Sequence, residues 1–395
     1  MTTGKKKFAA KRSGPLKGLR IIEIGGIGPA PFCGMMLSDL GADVLRIDRH
    51  QASDLGLPLD PRFDVTSRGR RSVTANLKDS ETVKTVLTIA EKADALIEGF
   101  RPGVMERLGL GPDDMLKRNP RLVFGRITGW GQHGPLAHAA GHDINYIALT
   151  GALHAIGRAG TPPAIPLNLI GDYAGGAAYL AFGIVSALLE ASRSGQGQVI
   201  DAAMTDGASS LMSMVYGRYA GNEWTDQRAS NELDGGAPWY DIYETADNKY
   251  VAIGAIEPKF FRELLQRVGI DSANWSAPHD RACWPALREE LTKLFKARTQ
   301  TQWAELLEGT DACFAPVLGI EEAPHHAHNV AREAFVEIDG VSQPAPAPRF
   351  SRTPGSVMHG APELGGGGGD ALADWGFTQG QINHFRKKGL YWLDE

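Results

Sequence analysis

The chain of 395 residues exceeds the length at which one hydrophobic core keeps growing, so two folding units, or one unit with a large insertion, are expected. A hydrophobic share of 43% and a charged share of 22% argue against disorder and against a fibrous protein. The net charge of −5 supplies no basic field to draw the chain onto nucleic acid or an anionic membrane; neither is an expected partner, and an anionic ligand must be met by a local cluster.

Residues 1–14 carry Lys5, Lys6, Lys7, Lys11 and Arg12 without an apolar run, which reads as a flexible basic tail rather than a secretory signal. Residues 19–24 read as a buried strand, followed by the turn at residues 25–28 and by Pro29 and Pro31, where a helix can open. That helix closes before Gly41, and residues 44–47 give a second strand, so the chain begins as a parallel βαβ unit. Asp79 and Ser80 precede a helical face of Val83, Val86, Leu87 and Ala90, and residues 95–97 and 121–127 add strands. The result is a doubly wound α/β domain, whose ligands sit at the carboxyl ends of the strands.

A helix over residues 173–191, apolar all round, is expected inside a large core. The apolar stretch at residues 177–189 falls short of the roughly 20 residues that span a bilayer, so no transmembrane helix is predicted. Residues 241–245 and 250–256 form a hairpin around Asp247-Asn248, and helices follow at residues 260–268 and 284–298 in a smaller α+β domain. Pro344, Pro346 and Pro348 mark an extended linker, the glycines at 365–369 a loop, and residues 379–388 a last helix. Domains are thus placed at residues 15–220 and 221–340, with residues 341–395 as linker and C-terminal segment. Cys33, Cys283 and Cys313 show neither CxxC spacing nor a disulfide framework, so a reducing, cytoplasmic setting is expected, or in a eukaryote a peroxisome or mitochondrion.

The turn at residues 25–28 fails the dinucleotide fingerprint, because its third glycine falls on Pro31. Arg49, Arg68, Arg70, Arg71, Arg101 and Arg107 recur after successive strands; each alone reads as a solvated face, and together they point to a phosphate-bearing ligand. His142 reads as a hydrogen-bonded structural histidine or as an acid/base group. Asp172, at the expected helix start, reads as an N-cap, or as a functional carboxylate beside free N–H groups able to hold an oxyanion. Glu257 reads by default as a surface carboxylate. His325, His326 and His328 lack partner cysteines, and no zinc motif, serine elbow or P-loop occurs, so no metal is expected.

The segments GFRPGVMERLGLGP (residues 99–112), GHDINY (141–146), NLIGDYAGG (168–176), LDGGAPWY (233–240) and GAIEP (254–258) resemble the family III coenzyme A transferases, and among them the α-methylacyl-CoA racemase branch. The likeness runs from about residue 18 to 352. It implies a racemase that interconverts (2R)- and (2S)-2-methylacyl-CoA through an enolate, with His142 and Asp172 as the two acid/base groups and Asn168 and Glu257 in support, Glu257 holding the imidazole tautomer. The rival within the family is a CoA transferase with Asp172 as nucleophile; His142 distinguishes the two. Coenzyme A contacts are implied at Arg49, at Thr74, Ala75, Asn76 and Leu77, at Leu96, Arg101 and Arg107, and at Gly141, His142, Asp143, Ile144, Asn145 and Tyr146. Coenzyme A is part of the substrate and no further cofactor is implied. The resemblance also implies a homodimer of interlocked rings, each site lying between one chain's large domain and the other's small domain, with residues 341–395 returning to the large domain, and a place in lipid and fatty acid metabolism.

Overall fold

The computed structural model describes residues 12–51, 56, 59–271, 275 and 279–394; the lysines of the basic tail lie outside them. Two compact units form, the first from Met1–Thr150, Leu167–Leu211 and His328–Glu395, the second from Gly151–Pro166 and Met212–Ala327. These divisions differ from the expected boundaries at three places, one being residues 212–220, which belong to the second unit rather than the large domain. Residues 151–166 leave the large domain, since Arg158 reaches Asp241 of the second unit at 2.5 Å. Residues 328–340 join the large one, where Arg62 Nη2 donates to the Asp339 carbonyl at 3.0 Å.

The first unit is α/β around a mixed sheet. Its six parallel strands are β1 (Arg20–Ile24), β2 (Asp43–Asp48), β3 (Arg71–Ala75), β4 (Ala95–Glu98), β5 (Val123–Thr128) and β6 (Val199–Ala203), in the order β3-β2-β1-β4-β5-β6. Leu390–Tyr391 adds an antiparallel edge beside β3. Alternate residues feed two cores. Ile22, Leu45, Val73, Leu96 and Phe124 pack on one face, and Ile21, Val44, Ala95, Val123 and Ile127 on the other. Burial on both faces explains the near-continuous apolar strands seen in the sequence. Strand order reverses between β1 and β4, which opens a crevice at their carboxyl ends.

β3 escapes a hydrophobic reading because its charges are buried in pairs. Arg71 reaches Asp43 at 2.6 Å and Asp374 at 2.5 Å, while Arg70 faces Glu23 at 3.2 Å and Arg68 holds Asp39. These three arginines are therefore braces of the fold and not phosphate ligands. The expected linker is a hairpin up to its first proline, with Phe335–Ile338 antiparallel to Val341–Pro344. The glycine run is only partly loop, since Gly368–Asp374 is helical.

The expected buried helix differs in form and surroundings. Leu169–Ala178 is wound as a wide π-helix and continues as the α-helix Tyr179–Ser194. Leu180, Ala181, Ile184, Ala187 and Ala191 face the core, but Tyr179, Phe182, Val185 and Leu189 are exposed, Phe182 by 73%. The 26 residues of Leu169–Ser194 are long and apolar enough to cross a membrane by length and composition, more than the sequence stretch indicated, although 44% of the apolar window is buried in the protein.

The second unit carries the expected hairpin, Tyr240–Glu244 against Tyr250–Gly254, extended by Phe314–Val317. Helices Pro258–Val268, Trp284–Phe295 and Gln300–Leu307 supply Phe261, Leu264, Leu287, Leu291, Phe295 and Trp303 to one core with Trp239 and Val251.

The C-terminal segment is integral to the first unit: Leu372, Trp375, Phe377, Ile382 and Phe385 share a core with β1, β2 and β3. Trp375 is fully buried and its Nε1 donates to Asp43 Oδ2 at 3.0 Å. Trp375→Ala is expected to destabilise the protein by about 3–5 kcal/mol through the cavity it leaves. Urea unfolding checks this, and a loss below about 1 kcal/mol would mean that the segment is not integral to the fold.

Candidate active site

The carboxyl ends of the strands open into a cleft of about 1500 Å³ in the first unit. The turn after β1 supplies Gly25, Ile27, Gly28 and Pro29; the end of β2 supplies Asp48, Arg49, His50 and Gln51; the loop after β4 supplies Gly99, Phe100, Arg101 and Pro102. Gly28 adopts φ 70°, a left-handed turn that L side chains resist, and opens the helix Pro29–Asp39. With Pro29 and Pro31 in its first turn, that helix lacks two of the amides that hold a pyrophosphate in dinucleotide folds. The failed fingerprint therefore has a structural counterpart.

Buried charge pairs hold the loops of this cleft. Glu98, at the end of β4, accepts from Arg126 Nε at 2.8 Å and from the Phe100 N–H at 2.7 Å, and Arg126 also reaches Glu106 at 2.7 Å. This fixes the entry of the Phe100-Arg101 loop. At the end of β2, Asp48 accepts from Ser72 Oγ at 2.7 Å and from Arg46 at 3.0 Å. Arg46 in turn lies 3.4 Å from the fully buried Glu23. Breaking such a pair leaves an uncompensated charge, which makes these anchors stiff.

His142 caps the helix Asp143–Ala148, and its backbone N–H donates to Asn145 Oδ1 at 3.0 Å. Its imidazole is exposed on the cleft wall. Asp172, on the same wall, lies in the fourth position of the π-wound segment. Single π-type turns recur at functional sites. Here Gly175 and Gly207 allow the segment and the helix Met204–Leu211 to cross backbone on backbone, since a Cβ on Gly175 would lie 2.7 Å from the Ala208 nitrogen. Tyr173, next to Asp172, stacks on Phe32 at 4.3 Å.

Burial pushes the Asp172 carboxyl above the ordinary aspartate value; the Asn168 amide, donating at 3.2 Å, and the His142 imidazole pull it down, and the Asp143 carboxylate adds to the rise. Tyr146 closes the wall. Its hydroxyl donates to the Gly141 carbonyl, its ring meets Trp130 edge-on at 4.8 Å, and burial, with Asp172 nearby, pushes its phenol up to about 12.

Of the residues singled out from the sequence, Arg49, Ala75, Asn76, Leu77, Arg101, Gly141, His142, Asn145, Tyr146 and Asp172 line this one cleft, and Asn168 touches Asp172. Others do not line it. Leu96 is wholly buried in mid-strand and belongs to the core; Arg107 is exposed at the end of the short helix Val104–Arg107. Ile144 points elsewhere, and Thr74 bears on the cleft only through His50, its Oγ1 lying 2.9 Å from Nδ1. Asp143 is buried beneath the wall. Glu257, in the second unit, precedes Pro258–Val268 as an exposed cap without a side-chain bond. The oxyanion site expected at Asp172 is also overturned: the N–H groups of Gly171 and Asp172 donate to Asp143 Oδ2 at 2.6 and 2.7 Å and are not available to a ligand.

His50, Lys78, Phe100 and Trp130 line the cleft without having been singled out. His50 and Lys78 each sit one or two residues from a residue that was, so distance from a strand end would have found them.

The chain belongs to CoA-transferase family III, whose model matches residues 16–367. Among relatives, the alpha-methylacyl-CoA racemase of Mus musculus is 42% identical over 370 residues, covering 93% of this chain and 95% of its own length. That of Homo sapiens is 40% identical over 372 residues, with 93% and 95% covered. A solved CAIB/BAIF family protein from Brucella suis superposes with a TM-score of 0.77 at 26% identity, covering 92% of this chain and 100% of its own.

The raised Asp172 carboxyl bears on stability as well as on chemistry. The folded chain holds this proton more tightly than the unfolded one, so its contribution is fully present below the ordinary aspartate range and is lost as pH rises through the folded value. Near neutral pH the ionised group works against the fold. Asp172→Asn is expected to melt higher than the parent at about pH 7 and to lose that advantage below about pH 4. Calorimetric melting temperatures across that range check the sign, and equal values at neutral pH would contradict it.

Proposed function

We propose that the protein is an α-methylacyl-CoA racemase, interconverting (2R)- and (2S)-2-methylacyl-CoA thioesters. The observation that carries this reading is an imidazole and a carboxyl of raised proton affinity, His142 and Asp172, on the wall of a cleft that also presents Arg49, Lys78 and Arg101. The cations suit the phosphates of coenzyme A. A thioester carbonyl acidifies its α-carbon, and loss of that proton gives an enolate. One group takes the proton from one face while the other, protonated, returns one to the opposite face. Burial raises the proton affinity of Asp172 above that of an ordinary aspartate, which favours its acting as the acid as well as the base. No metal or redox cofactor enters these steps. With the amides of Gly171 and Asp172 engaged by Asp143, the enolate oxygen must be met by other donors of the cleft wall.

The rival reading, CoA transfer through an acyl-Asp172 anhydride, draws support from the family's name. It requires a second carboxylic acid for turnover, whereas racemisation does not.

His142→Ala is expected to lose racemisation by roughly 10²–10⁴-fold, as for a general acid–base group. It should still exchange the α-proton of one enantiomer for deuterium with retention, and Asp172→Ala should favour the other enantiomer. Mass spectrometry on each purified 2-methylacyl-CoA enantiomer in deuterated water reads this, with chiral analysis of the product. Equal loss of exchange for both enantiomers in both folded variants would remove the division of faces.

We also propose a homodimer of interlocked chains. Tyr179, Phe182, Val185 and Leu189 form an exposed apolar face on one helix, the kind of surface that marks association. Interlocked chains part only by opening, so dilution should give no folded monomer. A native monomer in analytical ultracentrifugation at low concentration would overturn this.

A further inference from the structure

We propose that Asp143 is a positioning residue that sets the spacing between His142 and Asp172. The proposal rests on the reading of those two residues as the acid/base pair.

Asp143 directly follows His142 and is the first residue of the helix that His142 caps. It is 4% exposed, while both of its chain neighbours are exposed. One oxygen, Oδ2, accepts two backbone bonds, from Gly171 at 2.6 Å and from Asp172 at 2.7 Å. The main chain of Asp172 thus hangs from the residue adjacent to His142, across 29 positions of sequence. Gly171 leaves room for this, since a Cβ there would stand 2.7 Å from the same oxygen. Gly171 and Asp172 are the third and fourth residues of the helical segment, where backbone N–H groups have no partner within the helix. The clamp uses two of them.

The second oxygen, Oδ1, is buried and has no hydrogen-bond partner among the described residues. For clamping alone, an asparagine would serve, because a single carbonyl oxygen takes both N–H groups. The carboxylate adds charge. Placed against the Asp172 backbone, it makes ionisation of Asp172 harder, in the same direction as burial. The other groups that bear on Asp172 are Asn168 and the His142 imidazole, which favour its ionised form, and the Tyr146 phenol, which itself feels Arg101 and Asp143. Asp143 therefore acts on Asp172 twice, by geometry and by field. Both effects matter most when Asp172 must hold a proton and deliver it to the enolate.

The two effects separate in two full-length variants, Asp143→Asn and Asp143→Ala, assayed for kcat, KM, coenzyme A affinity and the pH dependence of kcat/KM. The informative direction is the one in which Asp172 takes the proton; there, kcat/KM falls on the acid side as its carboxylate protonates. Asp143→Asn keeps the two N–H bonds and removes the charge. It should retain turnover, with its acid limb moved to lower pH. Asp143→Ala breaks the clamp and should lose kcat by roughly 10²-fold, the scale of an ångström-level misplacement, with coenzyme A affinity little changed. Parent-like kcat in Asp143→Ala, or an unmoved acid limb in Asp143→Asn, would overturn the proposal; should the alanine variant not fold, the limb of the asparagine variant decides. Normal racemisation by His142→Ala and Asp172→Ala would overturn it together with the acid/base reading, a result distinguishable because the Asp143 variants play no part in it.

Discussion

A parallel sheet buried on both faces can meet a ligand only where the helices covering it part. In the first unit they part where strand order reverses between β1 and β4. The turn at residues 25–28, the Phe100-Arg101 loop and the end of β2 all converge there because the reversal sends successive crossovers to opposite sides. Residues separated by more than a hundred positions become neighbours for this reason alone.

The loops around the reversal rest on the core through Leu77, Phe100 and Leu108, and their ends are aimed by charges buried in the sheet. Glu98 ties the Phe100 amide to Arg126, and Asp48 ties the end of β2 to Ser72 and Arg46. Buried pairs of this kind add little net stability compared with well-packed apolar residues. What they add is directionality: a hydrocarbon core would let these loop ends slide, whereas a carboxylate with fixed donors does not. Strength and placement are thus divided between different residues. The apolar faces of β1, β2, β4 and β5 hold the unit together, and the charged residues at the strand ends aim its cleft.

That division governs how much of the molecule is legible in its sequence. β1, β2, β4 and β5 read as short apolar runs, and the Asp79 cap and the Asp247-Asn248 hairpin follow from local chemistry. β3 does not, because Arg71, Ser72 and Thr74 look like surface until their partners Asp43, Asp374, Asp48 and His50 are known. His142, Asp172, Asn168 and the cations Arg49 and Arg101 are visible as residue types at strand and helix ends. The π-wound segment is not, since its apolar, glycine-containing residue pattern reads equally as an ordinary α-helix. Asp143 reads from sequence as one of a row of ligand contacts, when its side chain is turned inward. Leu96 and Arg107 do not line the cleft, because a matching motif does not say which way a side chain faces.

The edge of the sheet carries a consequence for synthesis. β3 is closed on its outer side by Leu390–Tyr391, which leaves the ribosome about 315 residues after Ala75. At translation rates of roughly 5–20 residues per second, a nascent chain keeps that strand edge unpaired for roughly 15–60 s. An open strand edge is a template for pairing with other chains. Of the arginines at that edge, Arg68, Arg70 and Arg71 have Asp39, Glu23 and Asp43 already upstream of them, so only the second partner of Arg71, Asp374, arrives with the closing strand; until then one half-paired cation stands beside the open edge, where charge discourages another strand from adding.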